Sequence, residues 1–142
     1  MSRPASPPAG AVLGLLASLY LSQGLPFGFL TQAVPVLLRQ EGASLRAIGG
    51  ASFLLLPWLL KALWAPLVDQ VFWPSVGRRR SWILPLQGLT ALLFAGLALV
   101  STSDVITLLL VATAISALLA ATQDIATDGL AVAILPSAWR GW

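Results

Sequence analysis

Four stretches of this sequence run without a charged residue: Pro4 to Leu38, Ala47 to Leu60, Ser81 to Ser103 and Val105 to Gln123. A helix needs about 20 apolar residues to cross ~30 Å of hydrocarbon, and Ala62 to Val68 lengthen the second stretch beyond Lys61. The pattern predicts an all-α, polytopic membrane bundle with four transmembrane helices, at 12–38, 46–68, 82–102 and 105–135. The first and last overshoot the bilayer or carry kinks. A hydrophobic content of 58% and a mean hydropathy of +0.89 place the chain well above the roughly 45–50% apolar content of soluble domains. The first run is too long for the apolar core of a secretion signal and is read as a mature helix. Residues 1–10, rich in Pro, Ser and Ala, are read as a disordered tail, and 11–142 as the helical unit.

The same composition removes whole classes of chemistry. There is no cysteine and no histidine, hence no thiolate, no disulfide framework and none of the commonest metal ligand. No phosphate-cradling glycine loop or metal-ligand spacing is present, so neither an enzyme, a cofactor nor a metal is expected. A pI of 10.7 would point to nucleic acid in a soluble chain, but here it reports orientation in the membrane. Arg3, Arg78, Arg79, Arg80 and Arg140 fall on one side of the four-span scheme, with Arg39 and Arg46 on the other. The positive-inside rule then puts both termini and the arginine loop in the cytoplasm, with membrane lipid as an expected partner.

Pro26, Pro35, Pro57, Pro66 and Pro85 lie in or at the ends of the predicted spans, where they bend helices that neighbours or water must re-satisfy. Gly24 and Gly28 have the spacing that lets two helices approach closely, and packing inside one bundle is expected of them.

With only 9% charged residues, each charge needs a reason. Lys61 falls deep in the second span, where a lysine costs about 2.5 kcal/mol or more unless it snorkels, pairs or meets water. Asp69, eight residues on, is placed on roughly the same helical face at the cytoplasmic boundary. Two readings of Lys61 stay open: it snorkels to inner headgroups, or it faces a cavity or an acidic partner. Asp124 and Asp128, one helical turn apart, are the acids available in span four. Arg78, Arg79 and Arg80 lie on the same side and could hold a carboxylate with paired hydrogen bonds, or bind anionic lipid.

The segments "LKALWAPLVDQVFWPSVGRRRSW", "ATQDIATDGLAVAILPSAWRG" and "LYLSQGLPFGF" together resemble AmpG-type muropeptide permeases of the major facilitator superfamily. Acetyl-coenzyme A transporters of that superfamily share the Q-D-I-A-x-D-G pattern. The resemblance implies a secondary active transporter of the inner membrane, with proton-coupled import of anhydro-sugar peptides. Acetyl-coenzyme A transport, or a non-transporting four-span scaffold, are the alternatives. It also implies a cytoplasmic latch in which Asp69 and Arg79 or Arg80 engage Asp124 or Asp128. Lys61, Gln23, Tyr20, Gln32 and Gln123 are candidates for the substrate or proton pathway. Gln70 stands where the superfamily commonly has arginine. Since the superfamily builds its cavity between two six-span halves, the chain is expected to be an amino-terminal portion that needs further spans as partners and does not transport alone.

Overall fold

The computed structural model describes residues 8–99 and 105–135. Within them the chain is helical apart from short connections such as 41–44 and 71–79, with no strand, and four helical segments are long and apolar enough to cross a membrane. Residues 1–7 of the expected tail, residues 100–104, and Arg3 and Arg140 lie outside the described residues.

Span one is a single rod in three registers. Helix α1 (Ala9–Gly28) runs into a π-helical turn (Phe29–Ala33) and then α2 (Val34–Gln40). Pro26 and Pro35 bracket that turn, and each lacks the N–H its helix would use, so the backbone widens between them. At that turn the Thr31 hydroxyl donates to the Phe27 carbonyl at 2.9 Å. Gly42, at φ +77°, reverses the chain, and Ser44 caps the next helix by accepting from the Ala47 amide at 3.2 Å.

Span two is broken rather than kinked. It comprises α3 (Leu45–Gly50), a 3₁₀ turn (Ala51–Leu55), α4 (Leu56–Leu60), a second 3₁₀ turn (Lys61–Leu63) and α5 (Ala65–Gln70). Pro57 and Pro66 each sit in the first turn of a new piece, the helical position a proline tolerates best. The break at Lys61 corrects one expectation. Face counting by a continuous 3.6-residue period does not carry from Lys61 to Asp69, and the two residues serve different partners.

Span three is α6 (Arg80–Leu99) and span four is α7 (Val105–Ile134). Helix α7 is the hub of the described bundle, in contact with α1, α4, α5 and α6. It can be approached from several sides because its buried residues are small: Ala117, Ala120, Ala121, Ala126 and Thr127 among them. Helix α1 meets it along Leu16, Leu19, Gln23 and Pro26, one face at alternating three- and four-residue steps. A core of Leu19, Val68, Ile83 and Ala126, flanked by Trp64 and Trp82, ties all four spans together at the arginine-loop end. The glycine expectation is corrected here. A Cβ on Gly24 or Gly28 would meet nothing within 4 Å, so neither mediates a close approach, and the contact face of α1 lies elsewhere.

Candidate functional site

The charges gather in two clusters that share helix α7 but not each other's partners. In the first, the Lys61 ammonium leaves the 3₁₀ turn between α4 and α5 and pairs with Asp124. It also lies 3.6 Å from Asp128 Oδ2. Tyr20 on α1 donates its hydroxyl to Asp128 Oδ1 at 2.8 Å. Spans one and two thereby converge on one turn of α7. One ammonium faces two carboxyl groups, so the group holds one acid more than it has bases. Trp64, in the same broken segment, donates its indole N–H to Thr122 Oγ1 at 3.2 Å and fixes the register of span two against α7.

The second cluster closes the loop between spans two and three. Arg79 Nη1 reaches Asp69 Oδ1 at 2.6 Å, and Arg78 Nε donates to the Asp69 carbonyl oxygen at 2.6 Å. The buried hydroxyl of Ser81 donates to the Gly77 carbonyl at 2.8 Å, and Gly77 turns the chain at φ +96°. Trp82 donates to the Val71 carbonyl at 2.7 Å. The guanidinium of Arg79 lies where a Cβ on Gly129 would sit, so the arginine rests against the bare backbone of α7. The residues of the expected latch fall into separate groups. Arg79 does hold Asp69, but it meets span four at Gly129. Asp124 and Asp128 are engaged by Lys61 and Tyr20 instead, and Arg80 opens α6 without joining either cluster.

The remaining polar candidates separate. Gln23 is buried and donates through Nε2 to Thr127 Oγ1 at 2.6 Å. With Gln123 it lines a cavity of about 510 Å³ between spans one, three and four. Gln32 is exposed on the π turn and does not line that cavity. Gly129, Thr127, Thr122 and Trp64 were not singled out from the sequence, because their roles depend on the rotation of α7 relative to its neighbours. The lone glycine after Asp128 was the visible signal for the arginine contact. No cluster of His, Cys, Asp and Glu able to hold a metal occurs among the described residues.

A family model described as acetyl-coenzyme A transporter 1 matches residues 12–107, well over half of the chain. The chain belongs to the acetyl-coenzyme A transporter 1 family. Its match takes in Tyr20, Lys61, Asp69 and the arginine loop. Among curated relatives, an uncharacterized protein of Haemophilus influenzae is 43% identical over 110 residues, covering 75% of this chain and 25% of that protein. An uncharacterized membrane protein of Saccharomyces cerevisiae is 43% identical over 75 residues, 51% of this chain and 13% of its own length. The anhydromuropeptide permease of Escherichia coli K12 is 28% identical over 134 residues, covering 94% of this chain, span four included, and 27% of the permease. The chain thus spans about a quarter or less of the length of most curated relatives it matches. No solved structure matches it. Four apolar spans and this family together make the chain a multi-pass membrane protein of a transporter family.

Proposed function

We propose that the chain supplies the first four spans of a proton-coupled major facilitator permease that imports cell-wall muropeptides across the inner membrane. In this reading the amino terminus and the arginine loop are cytoplasmic, and further spans complete the path. The observation that carries it is Lys61 held against Asp124 and Asp128 within membrane spans, with Tyr20 on the second carboxylate. A structural ion pair needs one acid per base. Intramembrane ionisable groups mark ion and substrate pathways, and the surplus carboxylate here is a place for a transported proton. When the proton arrives, Lys61 is no longer shared between two acids and pairs with one. That change of partners couples protonation to the position of span two against span four. Arg79, Asp69 and Gly129 act as a clasp that keeps the loop end closed.

Muropeptide import is supported by the E. coli permease, which matches across nearly the whole chain. The family model favours a second reading, transport of acetyl-coenzyme A, with the same coupling cluster. Uptake of labelled anhydromuropeptide and of labelled acetyl-coenzyme A, into vesicles from cells expressing the whole reading frame that contains this chain, separates the two. Muropeptide uptake that collapses with a protonophore is expected. Uptake of acetyl-coenzyme A alone would transfer the proposal to the second reading. Uptake indifferent to the proton gradient would remove the coupling role of the cluster.

A further inference from the structure

Spans one and two sort their exposed side chains by chemistry. On α1 Leu21 and Leu25 are strongly exposed, whereas Tyr20, Gly24 and Phe27, at steps of four and three, share a different face of the same helix. On span two Leu59 and Leu63 are strongly exposed, whereas Trp58 reaches Phe27 and Lys61 reaches the acids of α7. The leucine faces suit lipid. The other face does not, because the side chains of Lys61, Asp124 and Asp128 are 31%, 19% and 51% exposed within membrane spans, where such groups border a water-filled path. Tyr20, Gly24 and Phe27 border that path with them.

Phe27 and Trp58 meet edge to face, their ring centroids 5.3 Å apart and their planes at 80°. Phe27 is still 43% exposed. The corner they form lies on the side of the charged cluster away from the arginine loop, ~10 Å along α1 from Tyr20 and ~5 Å along span two from Lys61. Between Tyr20 and Phe27 the wall is Gly24, where a Cβ would meet nothing within 4 Å. The surface is therefore open, with bare backbone at its middle, aromatic carbon at one end and hydrogen-bonding groups at the other. Lys61 and Tyr20 donate there, and the carboxyl groups of Asp124 and Asp128 accept.

This pairing of surfaces fits a pyranose ring. One face of such a ring is a sheet of C–H groups, whose partial positive charge is drawn to the electron-rich face of an aromatic side chain, and its rim carries hydroxyls that both donate and accept. A nucleobase would stack on the same corner, but a nucleotide brings phosphates. The cluster has no free cation for them, since Lys61 is held by Asp124 and Asp128 while Arg78 and Arg79 are held by Asp69 at the loop end.

We propose that the Phe27–Trp58 corner, the bare wall at Gly24 and the Lys61 cluster together form a subsite for an uncharged pyranose ring of the transported molecule. The inference rests on the transport reading above and adds to it the place where the sugar of the substrate lies. It also sets sugar hydroxyls beside the carboxyl groups assigned to the proton, so that cargo and proton meet at one cluster.

The test uses the protein from its whole reading frame in lipid nanodiscs, with methyl N-acetyl-β-glucosaminide as probe and saturation-transfer NMR as readout. Saturation of aromatic protein protons is expected to reach the C–H groups of one ring face. Trp58→Leu and Phe27→Leu keep apolar bulk without a ring, and each should weaken binding roughly three- to tenfold, the range of an aromatic contact. Gly24→Leu fills the open wall from a position with room for its Cβ, so binding should be lost at an unchanged unfolding temperature, while Gly24→Ala keeps it. If Gly24→Leu unfolds early, the two ring variants decide alone. Absence of saturation transfer in the unaltered protein would overturn the proposal, as a further span seated over the corner would produce it. So would unchanged binding in both ring variants, or displacement of the probe by adenosine diphosphate, the mark of a nucleotide site. A normal KM for labelled anhydromuropeptide in a folded Gly24→Leu variant would remove the subsite and leave the transport reading standing. Probe binding as expected, without proton-driven uptake by the unaltered protein, would instead sink the transport reading and keep the sugar site.

Discussion

Gly129 is the place where the loose chemistry of an arginine loop meets the fixed surface of a helix. The Arg79 guanidinium occupies the space of its missing Cβ, and the same guanidinium bonds Asp69. A methyl there displaces the far end of a flexible side chain and no backbone, so Gly129→Ala should fold. It should lose the Asp69 bond and cost only about 1 kcal/mol, the range of partly exposed ion pairs. Asp69→Asn removes the same bond from the other end. Thermal unfolding of both single variants and the double should therefore show strong non-additivity, with Gly129→Ala adding almost nothing once Asp69 is neutral. Additive losses would mean that glycine and aspartate act separately. Lys61 presents the opposite case. Lys61→Met strands two carboxylates within a span, and the loss should be about 1–3 kcal/mol, below the ~3–5 of a fully buried pair because the side chain keeps 31% exposure. Lys61→Met with Asp124→Asn should recover part of it in the same unfolding measurement; no recovery would deny the pair. The sequence makes Lys61, Asp69, Arg79 and Asp124 conspicuous, since each is a charge in a charge-poor chain, whereas Gly129 is one glycine among twelve. It could not pair them, because a pairing across helices depends on the rotation of each helix about its axis, and the 3₁₀ turn at Lys61 resets that rotation.

At the scale of the element, span two shows what proline does when it recurs in one rod. Pro66 cannot donate to the carbonyl of Ala62, and the 3₁₀ turn at Lys61–Leu63 sits where that bond is missing. Replacing it with alanine allows the α-helix to run through. Each residue then advances by ~100° in place of the ~120° of a 3₁₀ turn, which swings Lys61 away from α7. In this cysteine-free chain the pair Lys61→Cys and Asp124→Cys should be bridged readily by a short bifunctional thiol reagent, and several-fold more slowly when Pro66→Ala is added. An unchanged rate would show that Trp64 and Thr122 alone set the register. The existence of four spans was legible because runs without charge are long and unambiguous. The five pieces of span two were not, although every proline was in view, because a proline within a membrane helix is compatible with a bend, a π turn or a break. Pro26 sits inside α1 just before a π turn, whereas Pro35, Pro57 and Pro66 each sit in the first turn of a fresh helix.

For the molecule as a whole, orientation is the first property to establish. Cysteines at Ser44 and Ser75 lie at opposite ends of the bundle. An impermeant thiol reagent applied to intact cells should label Ser44→Cys and spare Ser75→Cys, following the excess of arginine on the Ser75 side. The reverse pattern would invert the topology and with it the direction of transport. Helix length then gives the charged cluster a vertical scale. Helix α7 has 30 residues, ~45 Å at 1.5 Å each, so when centred on ~30 Å of hydrocarbon it overhangs by ~7 Å at either end. Counting back from Ile134, Asp128 falls ~2 Å below the hydrocarbon boundary and Asp124 ~8 Å below it. The two acids are then rungs of a ladder, ~6 Å apart, with Tyr20 on the upper rung and Lys61 reaching both. In the proposed import, a proton stepping from Asp124 up to Asp128 and out to the cytoplasm leaves the membrane without ever leaving the reach of that lysine.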